Sequence, residues 1–356
     1  MNKERIFYLD FIRAVATILI LMTHFNAVFL YAGMPEKVFI TSSIANLYIG
    51  DFGVSLFFII SGASLMYVYD EQCSLKKFYK RRFLSIYPMF WIAYLIAFLY
   101  QFYQMQGINQ NIPKINILYT VFGFDGYFSA YIPTFYILGE WFLGCIILMY
   151  FIFPLMRFGL KKNVAVTVGL TVLFYFIFMF CNIPFNKTEI IFVRLPEILF
   201  GMLFIKYRKK VKWPVALGAL IVLILNGILK PELDCNYQTT YIGIAAFLLL
   251  VFVSQYLRSN FIYRVSAVIS KYSYAVFLVH HVIIMQILYK FDLNNVSRFY
   301  SCLLFLLCCC VIALFAKLLY MLHSAVMKEI TLWKGLLPSE KERDKIQNRN
   351  KRGECI

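Results

Sequence analysis

Residues 163–182 read NVAVTVGLTVLFYFIFMFCN, a stretch of twenty positions without a charged side chain. At a rise of about 1.5 Å per residue, a helix of this length spans the roughly 30 Å hydrocarbon core of a bilayer. Strand-like alternation is absent, so helices rather than a barrel would satisfy the backbone. With nine further apolar blocks, the predicted spans are 7–31, 46–69, 83–104, 134–156, 163–182, 190–205, 213–229, 239–257, 271–289 and 299–322.

Composition supports a membrane protein over a soluble one. Charged residues make up 15% of the 356 positions, hydrophobic residues make up 62%, and the mean hydropathy is +0.72. A soluble domain of this length needs about a quarter of its residues charged to cover its surface. We therefore predict an all-α polytopic membrane helix bundle with about ten transmembrane helices. The nine cysteines show no metal-ligand spacing, so neither a disulfide framework nor a metal site is expected.

The net charge of +17 predicts the orientation of the bundle. If the N-terminus is inside, 26 Lys and Arg residues fall on the inner side and six on the outer side. The positive-inside rule then places both termini in the cytoplasm, as a multi-pass protein of the cytoplasmic membrane. The basic excess is expected to meet anionic membrane lipids rather than nucleic acid. Residues 1–325 form the predicted transmembrane domain, and 326–356 a basic cytoplasmic tail.

Two ionisable residues on the first predicted span are separated by ten positions. Eleven steps of about 100° place Arg13 and His24 on one helical face, about 16 Å apart along the axis. Asp10 lies one turn before Arg13 and is its expected ion-pair partner. One interpretation is a phosphate-binding cation near the cytoplasm and a proton-handling group deeper in the membrane, bridged by an elongated cofactor. The alternative is a snorkelling arginine and a structural histidine.

Further ionisable residues interrupt later spans, where such groups mark function by default. Glu140 is expected at the depth of His24, where it would orient the imidazole and raise its basicity, unless it only bonds a neighbouring Tyr or Trp. Arg194 and Glu197 are spaced as an internal ion pair, or as a polar wall for a hydroxylated substrate. His280 and His281 are neighbours, so only one of them is expected to face a given site.

These residues belong to segments that together resemble acyltransferase family 3, the membrane-bound O-acyltransferases that modify bacterial surface sugars. Arg13 and His24 match its signature of an arginine, ten residues and a histidine. The other matching segments are 53–62 (GVSLFFIISG), 81–88 (RRFLSIYP), 140–143 (EWFL), 194–201 (RLPEILFG) and 273–280 (SYAVFLVH). Two positions depart from the family pattern: Ser85 replaces the second arginine of an Arg-x-x-Arg motif, and Phe277 replaces a common tyrosine.

The resemblance implies transfer of an acyl group from cytosolic acyl-CoA to a hydroxyl of an extracytoplasmic cell-surface polysaccharide or its lipid-linked precursor. Acetyl is the acyl group that the family most often transfers. His24 would be the general base or an acyl carrier, and Glu140 would orient it. Arg13, with Arg81 or Arg82, would bind the coenzyme phosphates without a metal. The implied supporting residues are Asp10, Ser61, Arg194, Ser273 and His280. The alternatives are a transporter or flippase of a lipid-linked sugar and a non-catalytic partner of polysaccharide assembly.

Overall fold

The computed structural model of the chain describes residues 4–336 apart from 137, 139 and 209, and most of these residues lie in helices. A two-stranded antiparallel hairpin, β1 (Ser43–Ile44) and β2 (Leu47–Tyr48), joins the first two helices. The α-helices are α1 (Phe7–Tyr31), α2 (Ile49–Tyr69), α3 (Leu75–Met105), α4 (Ile117–Val121), α5 (Glu140–Lys162), α6 (Val164–Phe180), α7 (Ile191–Tyr207), α8 (Trp213–Leu229), α9 (Cys235–Ser254), α10 (Asn260–Leu288) and α11 (Arg298–Leu336).

Each predicted span corresponds to one of these helices, and the short α4 lies between spans. Within the described residues, seven helices are long and apolar enough to cross a membrane: α1, α2, α3, α5, α9, α10 and α11. The helices α6, α7 and α8 have 17 residues each, and α6 and α8 are apolar. The all-α membrane bundle is therefore confirmed. Ten crossings and cytoplasmic termini stay predictions.

Several helices extend beyond the predicted spans. The helix α3 begins at Leu75 instead of 83, and α10 begins at Asn260 instead of 271. These extensions are rich in charged and polar residues, which lower the local hydropathy without breaking the helix. The helix α11 continues through the predicted domain boundary at 325 to Leu336, and the rest of the predicted tail, 337–356, lies outside the described residues.

Local capping explains where two of the helices begin. The side chain of Asn163 accepts a hydrogen bond from the backbone N–H of Val166 at 3.1 Å, which caps α6. The side chain of Asp234 accepts one from the N–H of Asn236 at 2.8 Å and caps α9. Such caps satisfy backbone donors that have no partner inside the helix.

The helices α2 and α7 pack backbone against backbone at two glycines. A methyl group added at Gly62 would lie 2.2 Å from the carbonyl oxygen of Ile198, and one added at Gly201 would lie 2.0 Å from that of Ile59. Small residues allow such close approach. The van der Waals packing that results drives the association of helices in a bilayer, where lipid tails are as apolar as the side chains and the hydrophobic effect gives no driving force. The same α2 also packs against α1, the helix that carries Arg13 and His24.

Candidate active site

Three helices bring a histidine cluster together, which we define as His24, Glu140, His280 and His281. The Nε2 atom of His24 on α1 lies 3.4 Å from a carboxylate oxygen of Glu140, the first residue of α5. On α10, Nδ1 of His281 lies 3.9 Å from the other Glu140 oxygen. Ring centroids of His280 and His281 lie 4.7 and 5.3 Å from that of His24. The expected contact between His24 and Glu140 is present, and their catalytic roles stay predictions.

Both members of the neighbouring histidine pair lie near His24, although the sequence suggested that one would turn away. Successive side chains of a helix diverge by about 100°, and the His24 ring lies within reach of both. His280 is only 1% exposed, and its Nδ1 lies 2.8 Å from the carbonyl oxygen of Phe277. The His281 side chain is 47% exposed. The cluster therefore has a closed side at His280 and an open side at His281.

A loop pressed against the start of α5 holds Glu140 in place. A methyl group added at Gly126 would lie 2.3 to 2.5 Å from three backbone atoms of Glu140. One turn along α5, Gly144 similarly leaves room for Tyr127. Glu140 itself has a φ of +44°, a left-handed value that is uncommon for a residue with a side chain. Strained backbone of this kind persists where the surroundings over-determine it, and it clusters at functional sites.

A polar cavity of about 350 Å³ lies at the other end of α1. Arg13 lines this cavity and donates hydrogen bonds to Ser270 Oγ at 3.1 Å and to Ser64 Oγ at 3.3 Å. Both hydrogen-bond partners of Arg13 are neutral hydroxyls, although the carboxylate of Asp10 lies close enough to interact with its charge. The charged residues around this cavity are Glu4, Arg5, Asp10, Arg13 and Lys271.

Asp10 pairs differently from the prediction. Its carboxylate accepts a hydrogen bond from Nε of Arg5 in an ion pair and another from Ser270 Oγ at 2.6 Å. Since Ser270 also accepts from Arg13, a hydroxyl bridges the two residues that were expected to pair directly. The spacing along α1 could not reveal this, because both Arg5 and Ser270 reach Asp10 from outside its helical turn.

The cavity and the histidine cluster are separate in this structure. His24 is not among the residues that line the Arg13 cavity. On α10, Phe277 lies between the cavity end of the helix and His280, with its ring centroid 6.1 Å from the His280 ring. The Phe277 ring also contacts that of Phe142, at 5.7 Å between centroids. The two ends of the site are thus joined by α1 and α10, with aromatic side chains beside the cluster.

Comparison with known proteins places this arrangement in a family. The acyltransferase family 3 domain, described as an acyltransferase domain, matches residues 6–320. The chain belongs to this family. The match covers nearly the whole chain and includes Arg13 and all four residues of the histidine cluster. No curated protein and no solved structure matches the chain. The resemblance seen in the sequence is therefore confirmed at the level of the family, and the protein is a membrane acyltransferase.

The other arginines predicted to bind the coenzyme of this acyltransferase lie on α3. The guanidinium of Arg82 lies 5.8 Å from the ring centroid of Tyr69 and 5.5 Å from that of Tyr150. Cation–π contacts of this kind hold a guanidinium in position without neutralising it. Arg81, its neighbour, is exposed.

The two predicted serines of the acyltransferase lie near the cavity end of its site. Ser273 donates a hydrogen bond to the backbone carbonyl of Ser270 at 3.0 Å. Ser61 is half-buried on α2, one turn before Ser64, which contacts Arg13. Their predicted role in polarising a thioester carbonyl therefore concerns the half of the site nearer Arg13.

Arg194 belongs to a second polar cluster of the acyltransferase. Its side chain is fully buried and lies 3.6 Å from the carboxylate of Glu197, as the spacing predicted. It also donates to the carbonyl of Thr188 at 2.8 Å and lies 4.0 Å from Asp51 on α2. Asp51 was not predicted as a site residue, although an acidic residue inside the second predicted span was a usable signal. This pairing favours the ion-pair interpretation, and contact with substrate stays a prediction.

Proposed function

We propose that this acyltransferase moves an acyl group, specifically acetyl, from cytosolic acyl-CoA to a hydroxyl of an extracytoplasmic cell-surface polysaccharide or its lipid-linked precursor. The observation that carries the proposal is the contact between His24 and Glu140. His24 lies on α1, and the other end of this helix carries Arg13 in a cavity. One helix thus carries a site suited to phosphate near one end and a site suited to proton transfer near the other. Acyl transfer requires that a passage open between them, because the cavity does not reach His24 in this structure.

The cavity end suits the donor. Coenzyme A carries phosphates, which form strong charge-assisted hydrogen bonds with guanidinium groups. Arg13 has only neutral hydroxyl partners among its hydrogen bonds, and the exposed Lys271 adds positive charge at the same cavity, whereas Arg5 is paired with Asp10. Arg82, held between two tyrosine rings, and the exposed Arg81 would add further phosphate contacts from α3. No metal is required for this binding.

The histidine cluster suits the transfer step. Donation of Nε2–H from His24 to Glu140 would leave the lone pair on Nδ1, where it can accept the proton of an acceptor hydroxyl. The hydroxyl oxygen then bonds the thioester carbonyl carbon, the carbon–sulfur bond breaks, and the coenzyme thiolate takes up the proton. Glu140 would stabilise the imidazolium between these steps. Alternatively, His24 itself carries the acyl group between the two substrates.

The test replaces His24 and follows labelled acetyl transfer. A positioned general base contributes about 100- to 10,000-fold to a rate, so His24→Ala should lower incorporation from labelled acetyl-CoA into isolated surface polysaccharide by at least about 100-fold. The matched control is His323→Ala on α11, which removes an imidazole outside the cluster. Both variants should be purified at wild-type yield. Wild-type incorporation by His24→Ala would refute the assignment.

A further inference from the structure

The histidine cluster also has the composition of a metal site. His24, Glu140 and His280 each offer a ligand atom, and these atoms all lie within 4.8 Å of one another. Two imidazoles and one carboxylate form a ligand set that binds Zn²⁺ and leaves its fourth position open. We propose that these three side chains bind a zinc-class transition-metal ion, and that the bound ion blocks acyl transfer. The cysteine and histidine spacing of the sequence had indicated no metal site.

His280 is already oriented as a metal ligand. Its Nδ1 lies 2.8 Å from the carbonyl oxygen of Phe277, so this nitrogen carries the proton and the lone pair falls on Nε2. Metal-binding histidines almost always donate their other ring N–H to a carbonyl or carboxylate in this way. The Nε2 atom is buried and has no hydrogen-bond partner among the residues that the structure describes. A metal ion would satisfy this buried acceptor.

The distances suit a small ion after slight side-chain rotation. Ligand atoms at about 2.0 to 2.1 Å from a tetrahedral zinc ion lie about 3.3 Å from one another. Nε2 of His24 and Oε2 of Glu140 already lie 3.4 Å apart. The other carboxylate oxygen, Oε1, is buried and 3.9 Å from Nδ1 of the half-exposed His281. His281 is therefore the most exposed histidine of the cluster and lies beside the carboxylate that would bind the ion.

Blockade follows because the ion would occupy the groups that transfer requires. A metal bound to His24 and Glu140 removes the hydrogen bond that orients the imidazole, and its positive charge opposes formation of an imidazolium. This second part of the proposal rests on the proposed function, whereas metal binding does not.

Binding is tested on the full-length protein, stripped of metal with a chelator and reconstituted in lipid nanodiscs. Calorimetric titration with Zn²⁺ should show one site in the wild type, and Co²⁺ should give the visible absorption of a tetrahedral complex. Loss of a residue that only hydrogen-bonds a metal ligand lowers metal affinity about 10- to 100-fold. His280→Ala removes a ligand itself, so it should weaken Zn²⁺ binding by more than this. His323→Ala is the control and should bind like the wild type. Equal affinity in His280→Ala and the wild type would overturn the site.

A thermal measurement keeps the result independent of how well His280→Ala folds. Zn²⁺ should raise the melting temperature of the wild type and of His323→Ala, since a ligand that binds only the folded state stabilises it. It should leave that of His24→Ala unchanged. An equal rise in His24→Ala would overturn the ligand set.

Activity separates the two parts of the proposal. Saturating Zn²⁺ should abolish acetyl transfer by the wild type, and excess chelator should restore it. Full transfer at saturating Zn²⁺, or loss of transfer on chelation, would overturn the blockade. Zinc binding that depends on His280, in a protein that transfers no acetyl under any condition, would support the site and count against the proposed function.

Discussion

Gly126→Ala should inactivate the acyltransferase without replacing a titratable group. The new methyl carbon would lie 2.3 Å from the carbonyl carbon and 2.4 Å from the Cα of Glu140, whereas carbon atoms in good contact are about 3.5 to 4.0 Å apart. The loop and the start of α5 must therefore separate by about 1 Å. A shift of this size at Glu140 would disrupt its 3.4 Å contact with His24. A misplacement of about 1 Å can lower a rate about 100-fold.

The assay is labelled acetyl transfer to surface polysaccharide, measured over a range of acetyl-CoA concentrations. We expect kcat to fall by about 100-fold, with little change in the KM for acetyl-CoA, because the Arg13 cavity lies at the other end of α1. The matched control is Gly169→Ala on α6, where an added methyl group meets nothing within 4 Å. Size-exclusion profiles should match for both variants. Wild-type kcat in a folded Gly126→Ala protein would refute the positioning of Glu140 by this loop.

Two predictions concern stability. Burial raises the pKa of Asp125, in the same loop, from 3.8 to about 6, so the folded state holds its proton more tightly than the unfolded state does. The free energy of unfolding should therefore fall as the pH rises from 4 to 6, and at pH 7 it should be about 3 kcal/mol lower than below pH 4. Asp125→Asn should remove the corresponding fall in melting temperature. Gly201→Ala should lower the melting temperature, since its methyl group would meet the backbone of Ile59 at 2.0 Å, and overpacking costs about 1 to 3 kcal/mol. Gly218→Ala, which meets nothing within 4 Å, should not.

Hydropathy alone predicted the helices well because a bilayer leaves few alternatives for the backbone. It placed the ends of α3, α10 and α11 less well, since their polar and charged extensions lower the local hydropathy without ending the helix. The positions of the caps on α6 and α9 depended on single Asn and Asp residues rather than on apolar periodicity.

The candidate site was predictable only in part. Helical spacing placed Arg13 and His24 on one helix. The contact of Glu140 with His24 is present, but the depth argument for it was wrong in part, because the predicted span began at 134 whereas Glu140 is the first residue of α5. Both His280 and His281 reach the same imidazole because of the rotation of α10 about its axis. This rotation depends on the packing of α10 against α1, so residue spacing could not predict it. The link from Asp10 through Ser270 to Arg13 joins residues about 260 positions apart, and only the folded structure could reveal it.

The separation of the Arg13 cavity from the histidine cluster has a consequence for the permeability of the membrane. An enzyme that takes its donor on one face and its acceptor on the other risks becoming a leak for protons and ions. Here Phe277 and Phe142 meet beside the cluster, and the cavity ends short of His24. On the predicted topology, this closure would also keep protons and hydrated ions from crossing between the cavity and the cluster, so that the cell would keep its electrochemical gradient.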